Sequence, residues 1–176
     1  MIQLYTERLF IREMEKRDAE FIVQLRNNPE VHRWFFRPNK ITMEEHLEWF
    51  RRTRDRRFDL IIELKESGDR VGTFNFKWND NHEALETGRI IHPENTRQGI
   101  ATEAALASFD YFLKDRRYEK IISFTRQENE PNLALLRKLG FDLSDPFSME
   151  RQGNETEVVK SSISREKFNR LHMGSA

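Results

Sequence analysis

Eight consecutive residues, Arg97-Gln98-Gly99-Ile100-Ala101-Thr102-Glu103-Ala104, are the part of this chain best suited to chemistry. They stand between a strand-like stretch, Gly88-Arg89-Ile90-Ile91-His92, and a helix-like stretch that ends near Leu113. The first backbone N–H groups of a helix have no partner within it, and the helix dipole adds to their positive potential. A polar loop with a glycine, feeding straight into a helix, is therefore built to receive an anion. Small residues at Gly99 and Ala101 let a phosphate come close to the backbone. The expectation is a pyrophosphate held by Arg97, Gln98, Gly99, Ile100, Ala101 and Thr102.

Other chemistries are poorly served. The chain has no cysteine, which removes disulfides, thiolate metal sites and cysteine nucleophiles. Its histidines, His32, His46, His82, His92 and His172, show no metal-ligand spacing, so no metal is expected. No nucleophile elbow and no glycine-rich dinucleotide fingerprint is present. Thirty basic residues balance thirty acidic ones, which argues against a general nucleic-acid binder. No apolar run approaches the ~20 residues needed to span a bilayer. The opening Met1 to Arg8 lacks the layout of a signal peptide, so a cytoplasmic protein without membrane attachment is expected.

The elements that must position the loop follow from hydrophobic spacing. At 176 residues, with no repeat, low-complexity segment or linker, one domain over 1–176 is expected. Leu9 to Met14 reads as a strand, and Lys16 to Asn27 as a helix with Phe21, Ile22 and Leu25 on one face. Asn28-Pro29 breaks the chain before a piece carrying Val31, Trp34 and Phe35. Thr42 and Glu45 form a capping box for a helix bearing His46, Leu47, Trp49 and Phe50, which ends in the basic run Arg51 to Arg57. Strands are expected over Phe58 to Leu64, Arg70 to Phe76 and Ala84 to His92, with Phe74 and Phe76 opposite Val71, Thr73 and Asn75. After the loop comes a helix with an Ala105, Phe109, Phe112 and Leu113 stripe. A strand over Glu119 to Phe124 follows, then a helix from Pro131 to about Leu139 capped by Gly140. Strands over Phe141 to Leu143 and Glu155 to Ser162, and a terminal helix over Ser164 to Leu171, complete a mixed α/β sheet with helices on both faces.

This order, with three local motifs, resembles the GNAT superfamily of acyl-CoA N-acyltransferases. Glu86-Thr87-Gly88-Arg89-Ile90-Ile91-His92-Pro93-Glu94 is similar to the family's fourth strand. The loop through Gly99 and Ala101 is similar to its Arg/Gln-x-x-Gly-x-Gly/Ala signature. Asn129-Glu130-Pro131-Asn132, followed by Leu139-Gly140-Phe141, resembles its asparagine-led helix and glycine-aromatic step. The resemblance covers nearly the whole chain. It implies a mixed α+β fold, a mostly antiparallel central sheet with one parallel, splayed strand pair. Two positions depart from the pattern. Thr96 and Arg97 stand where the family carries Arg or Gln and, often, glycine, so pyrophosphate would be held partly by a guanidinium. Leu136 stands where many members carry a tyrosine that protonates the leaving thiolate.

The resemblance implies acetyl transfer from acetyl-CoA to an amine. The amine must be neutral, and an α-amine with a pKa of about 8 is roughly a tenth neutral at pH 7. Glu86 is the expected base, with partial burial raising its pKa. Backbone N–H groups of Ile90, Ile91 and His92 are expected oxyanion and pantetheine partners. Asn129 and Asn132 match positions that contact the cofactor or a bound water in relatives; helix capping, which Asn does well, is the other reading, and both can hold at once. With leucine at 136, the acid is either absent, as a thiol pKa of about 8.5 permits, or supplied from elsewhere, as by Tyr111 or Tyr118. Leu133 and Leu136 read as core.

The N-terminal half should choose the acceptor. Arg26, Asn27, Trp34, His46 and Trp49 are its candidate residues. Their setting resembles acetyltransferases of nucleotide-linked amino sugars, whereas Thr6-Glu7-Arg8-Leu9 and Ile100 to Ala104 resemble ribosomal-protein N-terminal acetyltransferases. The acceptor is thus a small-molecule amine or a protein N-terminus. Polyamines fit less well, for want of an evident acidic pocket. A homodimer is compatible with the family. Two rival readings are a non-catalytic acyl-CoA-binding module on the same fold and an RNA binder using the arginine cluster.

Overall fold

The computed structural model describes residues 1–151 and 153–174. In chain order, β1 (Gln3–Tyr5) and β2 (Leu9–Glu13) lead through a single 3-10 turn over Lys16–Asp18 into α1 (Ala19–Asn27), α2 (Pro29–His32) and α3 (Met43–Thr53). Then come β3 (Phe58–Leu64), β4 (Arg70–Asn79), β5 (Ala84–Ile91), a 3-10 turn over Pro93–Asn95, α4 (Ile100–Lys114), β6 (Lys120–Arg126) and α5 (Glu130–Lys138). The chain continues through β7 (Asp142–Leu143), β8 (Phe147–Arg151), β9 (Asn154–Ser164) and α6 (Arg165–His172). One sheet runs β1-β2-β3-β4-β5-β6-β9-β7, with β8 also on β9. Every neighbouring pair is antiparallel except β5 and β6. Among the described residues no helix is long and apolar enough to cross a membrane.

Two faces follow from the alternation of the strands. One carries Leu60, Ile62, Phe74, Phe76, Leu85 and Ile121, and α4, α5 and α6 cover it with Phe109, Phe112, Leu136, Leu139 and Phe168. Aromatic rings set its shape. Phe76 lies 4.2 Å from Phe112, and Phe109 meets Phe74 edge-on at 5.7 Å, an arrangement that suits the ring quadrupoles. The opposite face holds a smaller cluster of Ala84, Ile122, Phe124 and Val158, with Phe36 against it. Leu136 is fully buried, as a core residue should be.

Val71 departs from strict alternation. It buries in the same cluster as Phe74 and Phe76, not opposite them. The register of β3 on β4 shifts from Ile62↔Gly72 to Glu63↔Arg70, leaving Val71 as the extra residue of a bulge. Gly72 beside it is forced by space, because a Cβ there would stand 2.5 Å from the Ile90 carbonyl oxygen. The bulge thus seats β4 tightly against the end of β5.

A buried ionic cluster ties the sheet to α1. Arg12 bonds Asp18 bidentately at 2.8 and 2.9 Å and reaches Glu63 at 2.5 Å. Arg70 adds a contact to Asp18 at 3.2 Å, and the Glu15 N–H donates to the same carboxylate at 2.8 Å.

Candidate active site

The parallel pairing of β5 and β6 covers only Leu85↔Ile121 and Glu86↔Ile122, and beyond it the strands part. On its other side β5 stays paired with β4 to Ile91. The His92 N–H donates to the Val71 carbonyl at 2.8 Å, so the antiparallel pattern directs the Ile90 N–H to β4 as well. The N–H groups of Arg89 and Ile91 face the gap. Of the three donors expected here, Ile90 and His92 are therefore engaged within the sheet and Ile91 alone is free for a ligand. Arg89 joins it.

At the far end of the gap lies the loop before α4. Its residues take left-handed conformations at Arg97 (φ 61°) and Gly99 (φ 78°). The first internal bond of α4 is Glu103 N–H to the Gly99 carbonyl at 3.0 Å. Among the described residues the N–H groups of 97–102 have no intramolecular acceptor, so six consecutive donors are available to an anion. Arg97 stands where glycine is the unstrained choice. Thr96 closes the preceding turn, its Oγ1 donating to the Pro93 carbonyl at 2.8 Å. Gln98 is occupied locally, with Nε2 on the Glu94 carbonyl at 2.9 Å. A brace holds the loop from outside. Glu103 accepts from Thr6 Oγ1 at 2.5 Å, Arg8 N at 2.8 Å and Arg8 Nε at 2.7 Å, while Arg8 Nη1 donates to the Gln98 carbonyl at 2.8 Å. The Thr6-Glu7-Arg8 opening thus has a mechanical task beside the loop.

Glu86 lies on the face away from α4 and α5, and it is buried. Its carboxylate accepts from Arg151 Nη2, from Asn79 Nδ2 at 2.8 Å, and lies 3.7 Å from Lys77 Nζ. Burial pushes its pKa up, but Arg151, Asn79 and Lys77 together outweigh it and hold the group below the ordinary glutamate value. The expectation that burial would raise this pKa is corrected, because the burying elements bring donors with them. Arg151 itself lies over Phe36 at 4.9 Å and Phe124 at 5.4 Å.

The remaining residues divide. Asn27 is consumed by the fold: its side chain accepts from Ile41 N at 2.8 Å and donates to Ile41 O at 2.7 Å, pinning the loop before α3. Asn129 caps α5, accepting from Asn132 N at 3.3 Å. Asn132 bridges the gap, accepting from Arg89 Nη2 at 2.5 Å and donating to Thr125 Oγ1 at 2.8 Å. Arg26 lies 5.1 Å from the Phe35 ring, and Trp34 is capped by its neighbour Arg33. Trp49 lies 5.5 Å from His46 at a tilt of 31° and under Arg57, which pairs with Asp59 at 2.8 Å. His46 is buried, its Nδ1 has no partner among the described residues, and burial followed by Arg26 keeps its pKa low. Arg26, His46 and Trp49 therefore come together on the Glu86 face, joined by Arg57 and Asp59. Tyr118 packs on Trp78 and Phe112, before β6 begins, and Tyr111 is exposed on α4 beside Phe112. Neither reaches the gap, so neither replaces the tyrosine missing at Leu136.

Sequence reasoning missed Arg89, Arg126 and Arg151. Arg126 donates to the carbonyls of Arg33 and Phe35 at 3.3 and 3.4 Å, fastening the loop after α2 to β6. Arg89 left a readable signal, a charge inside an otherwise apolar strand. Arg151 left none, since its place depends on a hairpin returning from the far end of the chain.

A mostly antiparallel sheet with one splayed parallel pair thus brings a loop of free backbone N–H donors to the gap, with a buried carboxylate beside it. The Acetyltransferase (GNAT) domain model matches residues 8–142, and the chain belongs to this family of N-acetyltransferases. It is 31% identical over 138 residues to a spermidine N(1)-acetyltransferase of Escherichia coli strain K12, covering 76% of this chain and 72% of that protein. In fold it is similar to a GNAT-family acetyltransferase from Bacillus anthracis, with a TM-score of 0.82 and 22% identity over 94% of this chain and 99% of that one. It is similar too to a spermidine N-acetyltransferase from Vibrio cholerae in complex with CoA and spermine, with a TM-score of 0.80 and 22% identity over 93% and 99% of the two chains.

Proposed function

We propose that this chain transfers an acetyl group from acetyl-CoA to the primary amine of a nucleotide-linked amino sugar. The observation that carries the acceptor is the charge of the Glu86 face. The carboxylates nearest Arg26 and Arg151, Asp59 and Glu86, are each taken by an arginine, Arg57 and Arg151. Arg26 has no ion-pair partner among the described residues, yet burial already pulls its pKa down, so an incoming anion would relieve it. A polyamine would meet repulsion there, while a diphosphate would meet Arg26 and Arg57, with Phe35 and Trp49 as flat surfaces for a sugar or base.

Acetyl-CoA supplies an activated acetyl thioester. The free donors of 97–102 take its pyrophosphate, the N–H groups of Arg89 and Ile91 face its pantetheine arm, and Glu86 receives the amine proton through water. Release of CoA, read with a thiol reagent on a panel of amino-sugar nucleotides, peptides with free N-termini and polyamines, tests the reading. The absence of cysteine removes protein background. Amino-sugar nucleotides should be the fast class, and fastest release with spermidine would overturn the acceptor.

Two substitutions separate the sites. Arg26→Ala should raise the acceptor KM by about 10- to 10²-fold, the worth of a charged hydrogen bond, and leave the acetyl-CoA KM unchanged. An unchanged acceptor KM removes Arg26 from recognition. Arg97→Gly should act with opposite signs on two observables. Relief of the left-handed residue favours the fold by about 1–2 kcal/mol, partly offset by about 0.4–1 kcal/mol of unfolded-chain entropy. Denaturant unfolding should show a small net gain, and calorimetry a weaker CoA affinity.

A further inference from the structure

Glu86 and Arg89 are three residues apart on β5 and so project to opposite faces of the sheet at the same gap. Arg89 lies on the α5 side. Its Nη2 donates to Asn132 Oδ1 at 2.5 Å, and Asn132 passes the connection to Thr125 of β6 at 2.8 Å. The guanidinium therefore spans the opening between the parted strands, beside the N-terminus of α5. Among the described residues that amide oxygen is its one hydrogen-bond acceptor, and it has no carboxylate partner. A guanidinium offers five N–H donors, so most of these are uncommitted.

A half-buried position without an anion partner is unfavourable for a cation. Burial alone lowers the Arg89 pKa to about 10. A side chain kept in this condition, with donors open to a gap, is ready for negative charge that forms there. One helical turn further along α5, Leu136 is fully buried and offers no proton.

We propose that Arg89 stabilises the thiolate that leaves during acetyl transfer, an inference that rests on the acetyl-CoA reading of the gap. The acceptor nitrogen forms its bond to the acetyl carbon with its lone pair. The carbon–sulfur bond breaks, and sulfur departs with that electron pair. The proton lost by nitrogen goes to Glu86 through water. Arg89 keeps its own proton and gives the sulfur positive charge and N–H donors, where low surrounding polarity makes them strong. The amine approaches from the Glu86 face and the sulfur withdraws toward the Arg89 face, so no acid is needed at Leu136. Asn132 is a positioning residue that holds the guanidinium across the gap.

Titration of CoA bound to the protein, followed by ultraviolet thiolate absorbance, tests this directly. The chain has no cysteine, so CoA carries the one thiol in the sample. A free thiol titrates near about 8.5. On the unaltered protein the bound thiol should titrate about one pH unit lower or more, a tenfold change in its ionisation. Arg89→Met should return it to the free value, and Arg89→Lys should keep part of the shift. Steady-state kinetics should show kcat about 10²-fold lower in Arg89→Met, with the KM for acetyl-CoA unchanged. A bound thiol that titrates as free CoA on the unaltered protein overturns the inference, whether or not Arg89→Met folds. Equal shifts in the unaltered and Arg89→Met proteins overturn it too, even with activity lost. Absence of saturable CoA binding is a different result and removes the acetyl-CoA reading itself.

Discussion

Glu86→Gln is expected to lower kcat by about 10²-fold while CoA affinity stays the same, the low end of what a general base contributes. The low end applies because this carboxylate is a weak base. Arg151, Asn79 and Lys77 hold it below the ordinary glutamate range despite burial. Its ionised form is present above that lowered pKa and is lost only as pH falls through it. Between about pH 5 and 8 the rate should therefore follow the acceptor amine, not Glu86. Arg151→Met sharpens the test. It removes the strongest opposing charge, burial then dominates, and the acid limb of the pH–rate profile should move up. Steady-state rates across pH for the three proteins, with calorimetric CoA binding as control, decide the matter. An unchanged kcat in Glu86→Gln would remove the residue from the reaction.

Asp18→Asn should destabilise the fold by about 3 kcal/mol, the lower end of the cost of breaking a buried ion pair. Asp18 is fully buried and Arg12 nearly so, and the asparagine would leave Arg12 and Arg70 facing a neutral amide. Glu63 still partners Arg12, which keeps the loss from being larger. For a chain of this length the midpoint of thermal unfolding should drop by roughly 6–12 °C. The pH dependence carries a sign. Burial raises the Asp18 pKa, but Arg12 and the Glu15 N–H lower it further, so the folded value lies below the ordinary aspartate value. Its stabilising contribution is then complete above the unfolded pKa and disappears as pH falls through the folded one. Unfolding midpoints measured in acid should converge for the two proteins, and midpoints that differ equally at all pH values would contradict the ionic origin.

Much of the fold was legible because local rules and tertiary packing agree. Thr42 and Glu45 form the expected capping box, with reciprocal bonds of 3.1 and 2.7 Å. Gly140 ends α5 at φ 89°, a conformation that glycine adopts freely. Two strands were not read. β1 is three residues long and β8 is mostly exposed, so neither shows a hydrophobic period, and each exists through the partner it pairs with.

The residues before α4 and the glycine at 99 determined a loop with free backbone donors, since backbone conformation and helix ends are local properties. The place of Glu86 on a strand was likewise local. Its ionisation was not, because Arg151 comes from a hairpin 65 residues further on and reverses the effect of burial. The same holds for Asn27, consumed by a loop 14 residues away, and for Arg89, whose unpaired charge has meaning only where β5 and β6 part. Sequence alone set which groups could ionise and where the chain could turn. Tertiary structure decided which charges are answered and which are left open, because electrostatic energy depends on distance in space and on exclusion of water, and neither is written in sequence order.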